Sequence, residues 1–108
     1  MLPILIITQC DSSAEAEKIA DEILNRELAA AVQIIGPISS RYWWRNRIHK
    51  KQEWLLMIKT NDSREEDIKL LIRELHSYEL PATMKLTIDG GERQYLQWIL
   101  DHSGASIE

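Results

Sequence analysis

The sequence has little cysteine, proline or glycine and no phenylalanine, and these shortages exclude several classes of protein. Because Cys10 is the single cysteine among 108 residues, the chain is not a disulfide-stabilised scaffold. Three prolines and four glycines are too few for a linker or a low-complexity segment. Thirteen Lys and Arg against seventeen Asp and Glu give a net charge of -4. This balance disfavours a general nucleic-acid-binding protein, because phosphate binding needs a basic excess.

Long apolar segments are also absent from the sequence. No apolar run approaches the roughly 20 residues that a membrane-spanning helix needs. Residues 1–7 are apolar but carry neither a basic start nor a small-residue cleavage site, so they do not resemble a signal peptide. Together with the single cysteine, these features lead us to expect a cytoplasmic protein. The length and the hydrophobic share of 44% predict one globular domain.

The first half of the chain predicts a strand, a helix and a long hairpin. Residues 2–8 form a short Ile-rich run that is typical of a central strand. Ser12 and Glu15 match a Ser-x-x-Glu capping box, and apolar residues recur at helical spacing after it. Residues 28–44 and 52–60 are rich in β-branched and aromatic residues, which indicates the two strands of a hairpin.

Turn-forming residues divide this hairpin and the second half of the chain. Gly36-Pro37 predicts a bend, because proline cannot donate to a central ladder. Asn46 predicts a tight turn, because asparagine tolerates a positive φ. The remaining elements are a helix capped by Asn61-Asp62-Ser63, with Glu66 three residues after Ser63, a strand at 84–88 and a last helix at 92–101.

This order of elements predicts an α+β fold, namely a ferredoxin-like split βαβ sandwich (βαββαβ plus a C-terminal helix) with a long β2–β3 hairpin. We expect a single domain over residues 1–102 and a flexible C-terminal tail at 103–108. Each arm of the hairpin exceeds the typical strand length of about 5–6 residues. A monomer would leave Tyr42, Trp44 and Trp54 in water, so we expect copies of the same chain to cover them.

Five stretches of the sequence carry a family resemblance. They are RELAAAVQI at 26–34, SSRYWW at 39–44, WLLMIKT at 54–60, HSYELP at 76–81 and YLQWI at 95–99. In order and spacing they resemble the patterns ERLAACVNI, SxYxW, LxIKT, HPYxxPE and YxxWI of the CutA family, the divalent-cation tolerance proteins. The resemblance implies a homotrimer of ferredoxin-like subunits, similar in architecture to the PII signalling proteins. It also implies tolerance to copper and other divalent metals, with no established catalytic reaction.

The chain departs from the family pattern at the cysteines. The family's central cysteine corresponds to Ala31, and the cysteine that some members carry late in the first strand corresponds to Ile7. Cys10 is predicted in the loop beyond this strand, with no histidine near it in sequence to act as a base. Since copper favours thiolate ligands, we expect no tightly bound cofactor. A divalent ion, Cu or Zn, should bind only weakly, through nitrogen and oxygen donors.

His76 is the candidate metal ligand. It matches the histidine of the family's HPY motif and follows the second predicted helix, beside Tyr78 and the acceptor Glu79. Imidazole is the commonest side-chain ligand for Cu(II) and Zn(II). The alternative is a histidine whose charge favours the helix C-terminus and whose ring packs on Tyr78. No HxH, HExxH or CxxC spacing is present, so the sequence predicts no closed metal site within one chain.

A second group of candidate residues is expected at a ligand or interface cleft. The hairpin carries a basic run at 41–51 with five Lys and Arg, so its aromatic residues suit the wall of an anion pocket. Subunit packing is the alternative that we favour, because large aromatic residues carry much of the energy of interfaces. Glu53 and Lys59 are six residues apart and predicted on one strand face, as a ligand pair or an ion pair between subunits. The six candidates are Tyr42, Trp44, Glu53, Trp54, Lys59 and Tyr78.

Three classes of function follow from these residues. The first is a trimeric, metal-responsive or copper-binding tolerance protein without catalytic activity. The second is a PII-like sensor trimer that binds a small anionic ligand at the subunit clefts. The third is an enzyme, which we do not expect, because there is no nucleophile–base pair, paired-acid motif or phosphate-binding loop. We expect neither a membrane nor a nucleic-acid partner, since the aromatic strand motif of RNA-recognition modules is missing.

Overall fold

Four antiparallel strands and three helices build residues 1–104 of the protein. The computed structural model describes residues 1–104. The elements are β1 (Pro3–Cys10), α1 (Ser13–Asn25), β2 (Ala31–Trp44), β3 (Arg47–Asn61), a 3₁₀ turn (Asp62–Arg64), α2 (Glu65–Leu75), β4 (Met84–Thr87) and α3 (Arg93–Asp101). The strand order in the sheet is β2-β3-β1-β4, and all three pairings are antiparallel. The predicted ferredoxin-like α+β fold is confirmed.

The core lies between the sheet and helices α1 and α2. Strand β1 alternates strictly, and its buried residues are Ile4, Ile6, Thr8 and Cys10. They pack with apolar residues of both helices, all of them fully buried: Ile19, Ile23, Ile68 and Ile72. Burying each isoleucine stabilises the fold by about 1.5–3 kcal/mol. The alternation places Cys10 inside the same layer as the apolar core.

The two long helices begin in different ways. Ser12 accepts a hydrogen bond from the backbone N–H of Glu15 at 3.1 Å, as the capping box predicts. The predicted cap of α2 by Ser63 is wrong, because a 3₁₀ turn precedes this helix. Asn61 caps that turn by accepting from the backbone N–H of Ser63 at 2.8 Å, and the Ser63 hydroxyl donates to the same Asn61 oxygen. Within the predicted capping segment Asn61-Asp62-Ser63, the capping side chain is therefore that of the buried asparagine.

The β2–β3 hairpin extends well beyond the rest of the sheet. Its strands have 14 and 15 residues, whereas the last residue of β1, Cys10, pairs with Trp54. The predicted bend is confirmed, because the register shifts between Ile35 and Ile38. The predicted turn is also confirmed, since Arg45 and Asn46 have φ angles of 53° and 64°, as a type I′ turn requires. From Glu53 back to the hairpin turn, β3 pairs with β2 but not with β1, so its outer edge is uncovered there.

Ser103 and Gly104, which follow α3, are hydrogen-bonded to residues at the 3₁₀ turn. Ser103, which we predicted in the flexible tail, is fully buried, and its hydroxyl accepts from the Asn61 side-chain amide at 2.7 Å. The Arg64 guanidinium donates to the carbonyls of Ser103 and Gly104. The first two residues of the predicted tail therefore pack against the domain, and residues 105–108 lie outside the described part. Among residues 1–104, no helix is long and apolar enough to span a membrane.

Candidate metal site and adjoining cleft

Three metal-binding side chains meet at the end of β1. Cys10 is the last residue of that strand, Glu15 lies in the first turn of α1, and His76 directly follows α2. The connection between β1 and α1 is only two residues long, so it turns Glu15 back beside Cys10. The ligand atoms of the three side chains all lie within 4.8 Å of one another. We call these residues the Cys10–Glu15–His76 cluster.

The His76 ring is held by hydrogen bonds at both nitrogens. Its side chain is 0% exposed, and Nε2 donates to the Gln9 backbone carbonyl at 2.5 Å. A carbonyl can only accept, so the proton of the neutral ring is on Nε2. Nδ1 accepts from the Tyr78 backbone N–H at 3.1 Å and lies 3.3 Å from a Glu15 carboxylate oxygen. Metal-binding histidines commonly donate their second ring N–H to a carbonyl in this way.

Cys10 adds a thiol to the cluster, which we did not predict from the sequence. We predicted it in the loop after the first strand, with no histidine near it in sequence, but it ends β1 and lies fully buried near His76. Burial raises the pKa of the thiol to about 12, and the negative charges of Glu15 and Asp11 add to this increase. The thiol is therefore protonated at neutral pH. The alternation of β1, continued beyond Thr8, is the signal in the sequence that indicates the burial.

The donor set fits a divalent transition-metal ion. Thiolate, imidazole and carboxylate are ligands that suit Zn(II) and Cu(II), and three protein ligands leave a further coordination position open. Thr8 lies on the same buried side of β1 as Cys10. Its hydroxyl oxygen has no hydrogen-bond partner within residues 1–104. This end of the core therefore contains one unsatisfied polar atom in addition to the three donors.

A cleft of about 780 Å³ opens between the hairpin and the loop that follows α2. On the hairpin side, Tyr42 stacks on His49 with ring centroids 5.6 Å apart. On the loop side, Tyr78 donates to the carboxylate of Glu53 at 2.6 Å. The Lys51 ammonium lies 4.5 Å from the centre of the Tyr78 ring. The cleft therefore combines aromatic walls with both positive and negative side chains.

The hydrogen bond between Tyr78 and Glu53 involves the most buried carboxylate that lines the cleft. Glu53 is only 5% exposed, so its carboxylate needs the donor that Tyr78 provides. Burial raises the pKa of the Tyr78 phenol well above its ordinary value, and the hydrogen bond to Glu53 raises it further. Tyr78 is therefore neutral at physiological pH, and its hydroxyl proton is the one donated to Glu53.

The structure separates the six residues predicted for the cleft. Tyr42, Trp44, Glu53 and Tyr78 line it, but Trp54 and Lys59 do not. Trp54 lies opposite the bulge, where its indole covers Gly36 and packs against the core. Lys59 is further down β3 and donates to the Tyr95 hydroxyl of α3 at 2.9 Å. The sequence missed several lining residues, among them Gln9, Ser39, Ser40, His49 and Glu79.

Comparison with known proteins shows relatives over nearly the whole chain. Residues 4–102 match the family described as CutA1 divalent ion tolerance protein. A protein described as CutA homolog from Xenopus laevis is 36% identical over 92 residues, which is 85% of this chain and 61% of that relative. The divalent-cation tolerance protein CutA of Thermus thermophilus is 33% identical over 100 residues, which is 93% of this chain and 97% of the relative.

Solved structures give the same relationship. The divalent cation tolerance protein of Thermus thermophilus superimposes with a TM-score of 0.92 at 30% identity, covering 95% of this chain and 100% of that one. CutA1 from the psychrotrophic bacterium Shewanella sp. SIB1 has a TM-score of 0.90 at 36% identity, covering 94% and 95% of the two chains. The sequence match and the shared fold agree over the same residues. The chain therefore belongs to the CutA1 divalent ion tolerance protein family.

Proposed function

We propose that the protein acts in divalent-cation tolerance by binding a divalent metal ion at the Cys10–Glu15–His76 cluster. The observation that carries this proposal is the convergence of a thiol, a carboxylate and an imidazole within 4.8 Å. When bound, a Cu or Zn ion supplies the positive charge that satisfies these donors together. The protein's part is to hold the ligands in place and to limit access to them.

Each residue of the cluster has a distinct part in this binding. The Gln9 carbonyl accepts the Nε2 proton of His76, which leaves Nδ1 as the ligand atom, 3.3 Å from a Glu15 carboxylate oxygen. Glu15, whose side chain is 15% exposed, contributes negative charge beside the buried Cys10 and His76. Cys10 must release a proton to become a ligand, and its raised pKa makes that release costly at neutral pH. Binding is therefore weak near pH 7 and involves a thiolate, whereas the sequence led us to expect nitrogen and oxygen donors alone.

Titration calorimetry with Zn(II) and Cu(II) tests this site. His76→Ala is expected to lower affinity about tenfold or more, which is the scale expected for loss of an imidazole ligand. His102→Ala is the matched control, because His102 is exposed and remote from Cys10 in the fold. With Co(II) as a spectroscopic probe, the thiolate charge-transfer band should vanish in Cys10→Ala. Binding that survives both His76→Ala and Cys10→Ala unchanged would contradict the proposal.

We also propose that the protein is not an enzyme. The only thiol within residues 1–104 is fully buried and protonated at neutral pH. Protonated buried thiols are poor nucleophiles, because the thiolate is the reactive form.

The working form is proposed to be a homotrimer that is assembled through the hairpin. Tyr42, Trp44 and Trp54, which we expected in water on a monomer, are partly buried within the subunit. The large hydrophobic residues left most exposed on the hairpin are instead Trp43, at 71%, and Ile48, at 57%. Their exposure and the uncovered edge of β3 support contact with further copies of the chain.

Light scattering tests the assembly. The expected mass is three times the chain mass of 12.6 kDa. Replacing Trp43 and Ile48 together by Ser should shift the mass towards one chain, because both side chains would otherwise be covered by a partner. Lys50→Ser, in the same hairpin, is the control and should leave the mass unchanged. A mass near one chain for the unmodified protein at micromolar concentration would refute the trimer.

A second candidate function is a PII-like sensor that binds a small anionic ligand. The observation that favours it is the cleft, where Lys51 and Arg41 stand beside three aromatic side chains. Titration with a panel of nucleotides tests it, with Lys51→Met expected to abolish binding. Lys50→Met is the control, because Lys50 is adjacent but does not line this cleft. Absence of binding by every nucleotide in the panel would remove this candidate.

We propose a cytoplasmic location as well. The single cysteine supports it, because exported proteins more often rely on disulfides. The Archaeoglobus fulgidus relative is described as periplasmic, so the compartment needs a direct test. Fractionation of cells producing the tagged full-length chain should find it with cytoplasmic markers.

A further inference from the structure

Tyr78 contacts both the Cys10–Glu15–His76 cluster and the cleft. Its backbone N–H donates to His76 Nδ1 at 3.1 Å, and its ring packs 4.6 Å from the His76 ring. Its hydroxyl donates to Glu53 at 2.6 Å on the other side. One residue therefore connects a proposed metal ligand with the most buried carboxylate of the cleft.

The backbone of the same loop is also attached to Glu15. The Ser77 N–H donates to a Glu15 carboxylate oxygen at 3.2 Å, and this oxygen is the one that lies 3.3 Å from His76 Nδ1. Two successive amides, of Ser77 and Tyr78, are thus held by two side chains of the cluster. The start of the loop between α2 and β4 takes its position from the groups that would bind a metal.

These hydrogen bonds and metal coordination compete for lone pairs on the same two atoms, His76 Nδ1 and the shared oxygen of Glu15. A neutral imidazole with its proton on Nε2 has a single lone pair, on Nδ1. That lone pair cannot accept the Tyr78 N–H and coordinate an ion at the same time. Coordination by His76 therefore requires the Tyr78 amide to leave, and coordination by the shared oxygen of Glu15 weakens the hold on the Ser77 amide.

We propose that the cluster and the cleft are coupled through Tyr78, so that metal binding releases the loop after His76 and loosens the contact between Tyr78 and Glu53. This inference rests on the metal site proposed above and extends the effect of metal binding to the cleft. Coupling of binding equilibria is reciprocal. Whatever holds Tyr78 on Glu53 therefore opposes metal binding, and whatever releases Tyr78 favours it.

The test is a Zn(II) titration of the full chain and of Tyr78→Phe. Phenylalanine keeps the ring and the backbone N–H but cannot donate to Glu53, so the loop is held less firmly in the metal-free protein. Zn(II) affinity should rise about tenfold, the scale of one hydrogen bond to a charged acceptor. Tyr42→Phe removes a hydroxyl from the same cleft without touching the loop attachment and should leave affinity within about twofold.

Hydrogen exchange of the unmodified protein gives an independent measurement. The amides of Ser77 and Tyr78 should exchange faster in the presence of saturating Zn(II) than in its absence, while core amides of β1 stay protected. If Zn(II) binds but neither the two amides nor the Tyr78→Phe affinity change, the coupling is refuted and the metal site stands. If Zn(II) does not bind at all, the metal site fails, and the coupling fails with it.

Discussion

The raised pKa of Cys10 makes the stability of this protein depend on pH in a defined window. The thiol titrates near 9.0 when it is exposed and near 12 in the folded protein. Below the lower of these values both states are protonated, and the group contributes nothing to the pH dependence. Between the two values the unfolded chain gains stability by ionising, while the folded chain cannot. The free energy of unfolding therefore falls as pH rises through this window.

The size of the effect follows from linkage. Each pH unit between the two pKa values lowers the free energy of unfolding by about 1.4 kcal/mol. At a pH about one and a half units above the unfolded value the loss is about 2 kcal/mol, and it approaches 4 kcal/mol across the whole window. For a domain of this size that is a large share of a typical stability of about 5–15 kcal/mol.

Urea unfolding measures this pH dependence. The unmodified protein and Cys10→Ala are compared across the pH range at one protein concentration and with reductant. The two proteins share every other titratable group, so the informative quantity is the difference between their free energies of unfolding. Cys10→Ala should be less stable than the unmodified protein at pH about 8, because a buried side chain is lost, and the gap should close as pH rises. Parallel curves for the two proteins would refute the argument that Cys10 stays protonated in the fold.

Three further results are expected. Gly36→Ala should lower the free energy of unfolding by about 1–3 kcal/mol, because a Cβ there overlaps the Trp54 indole, whereas Gly90→Ala, with open space around it, should be neutral in the same denaturation assay. Asn61→Ala should cost about 1–3 kcal/mol, since it leaves the buried Ser103 without its donor, and thermal unfolding would reveal an unchanged midpoint if this is wrong. The melting temperature should rise with protein concentration, as it does for assemblies, and a constant value over a hundredfold dilution would contradict the trimer.

The local conformation of the backbone was predictable from the sequence at three places. Ser12 caps α1, Asn46 takes a positive φ and the hairpin bends at Gly36-Pro37, each because a short stretch of chain decides its own conformation. The element order also predicted the topology, since crossover rules leave few arrangements for it. The cap of α2 was wrong because Asn61 also bonds to Ser103, forty-two residues away, and this long-range contact fixes its side chain.

The site depends on contacts that a linear pattern cannot show. The capping box explains the backbone of Glu15 but not its carboxylate, which turns to His76 after the fold brings α2 alongside. Cys10 gained a histidine neighbour in the same way. The even spacing of Glu53 and Lys59 failed to place them together, because six residues of a strand span about 20 Å. Lys59 contacts Tyr95 of α3 instead.

The protonated state of Cys10 also governs its behaviour towards oxidants. Peroxides and disulfides react with the thiolate, and at neutral pH a thiol that titrates near 12 is ionised in only about one molecule in 10⁵. An ordinary cysteine is ionised about a thousand times more often, and full burial slows collision with an oxidant further. The chain therefore keeps its single thiol in the reduced form without help from a partner cysteine. Because Cys10 lies inside the core, no covalent cross-link joins two copies through it, and any association between copies remains reversible.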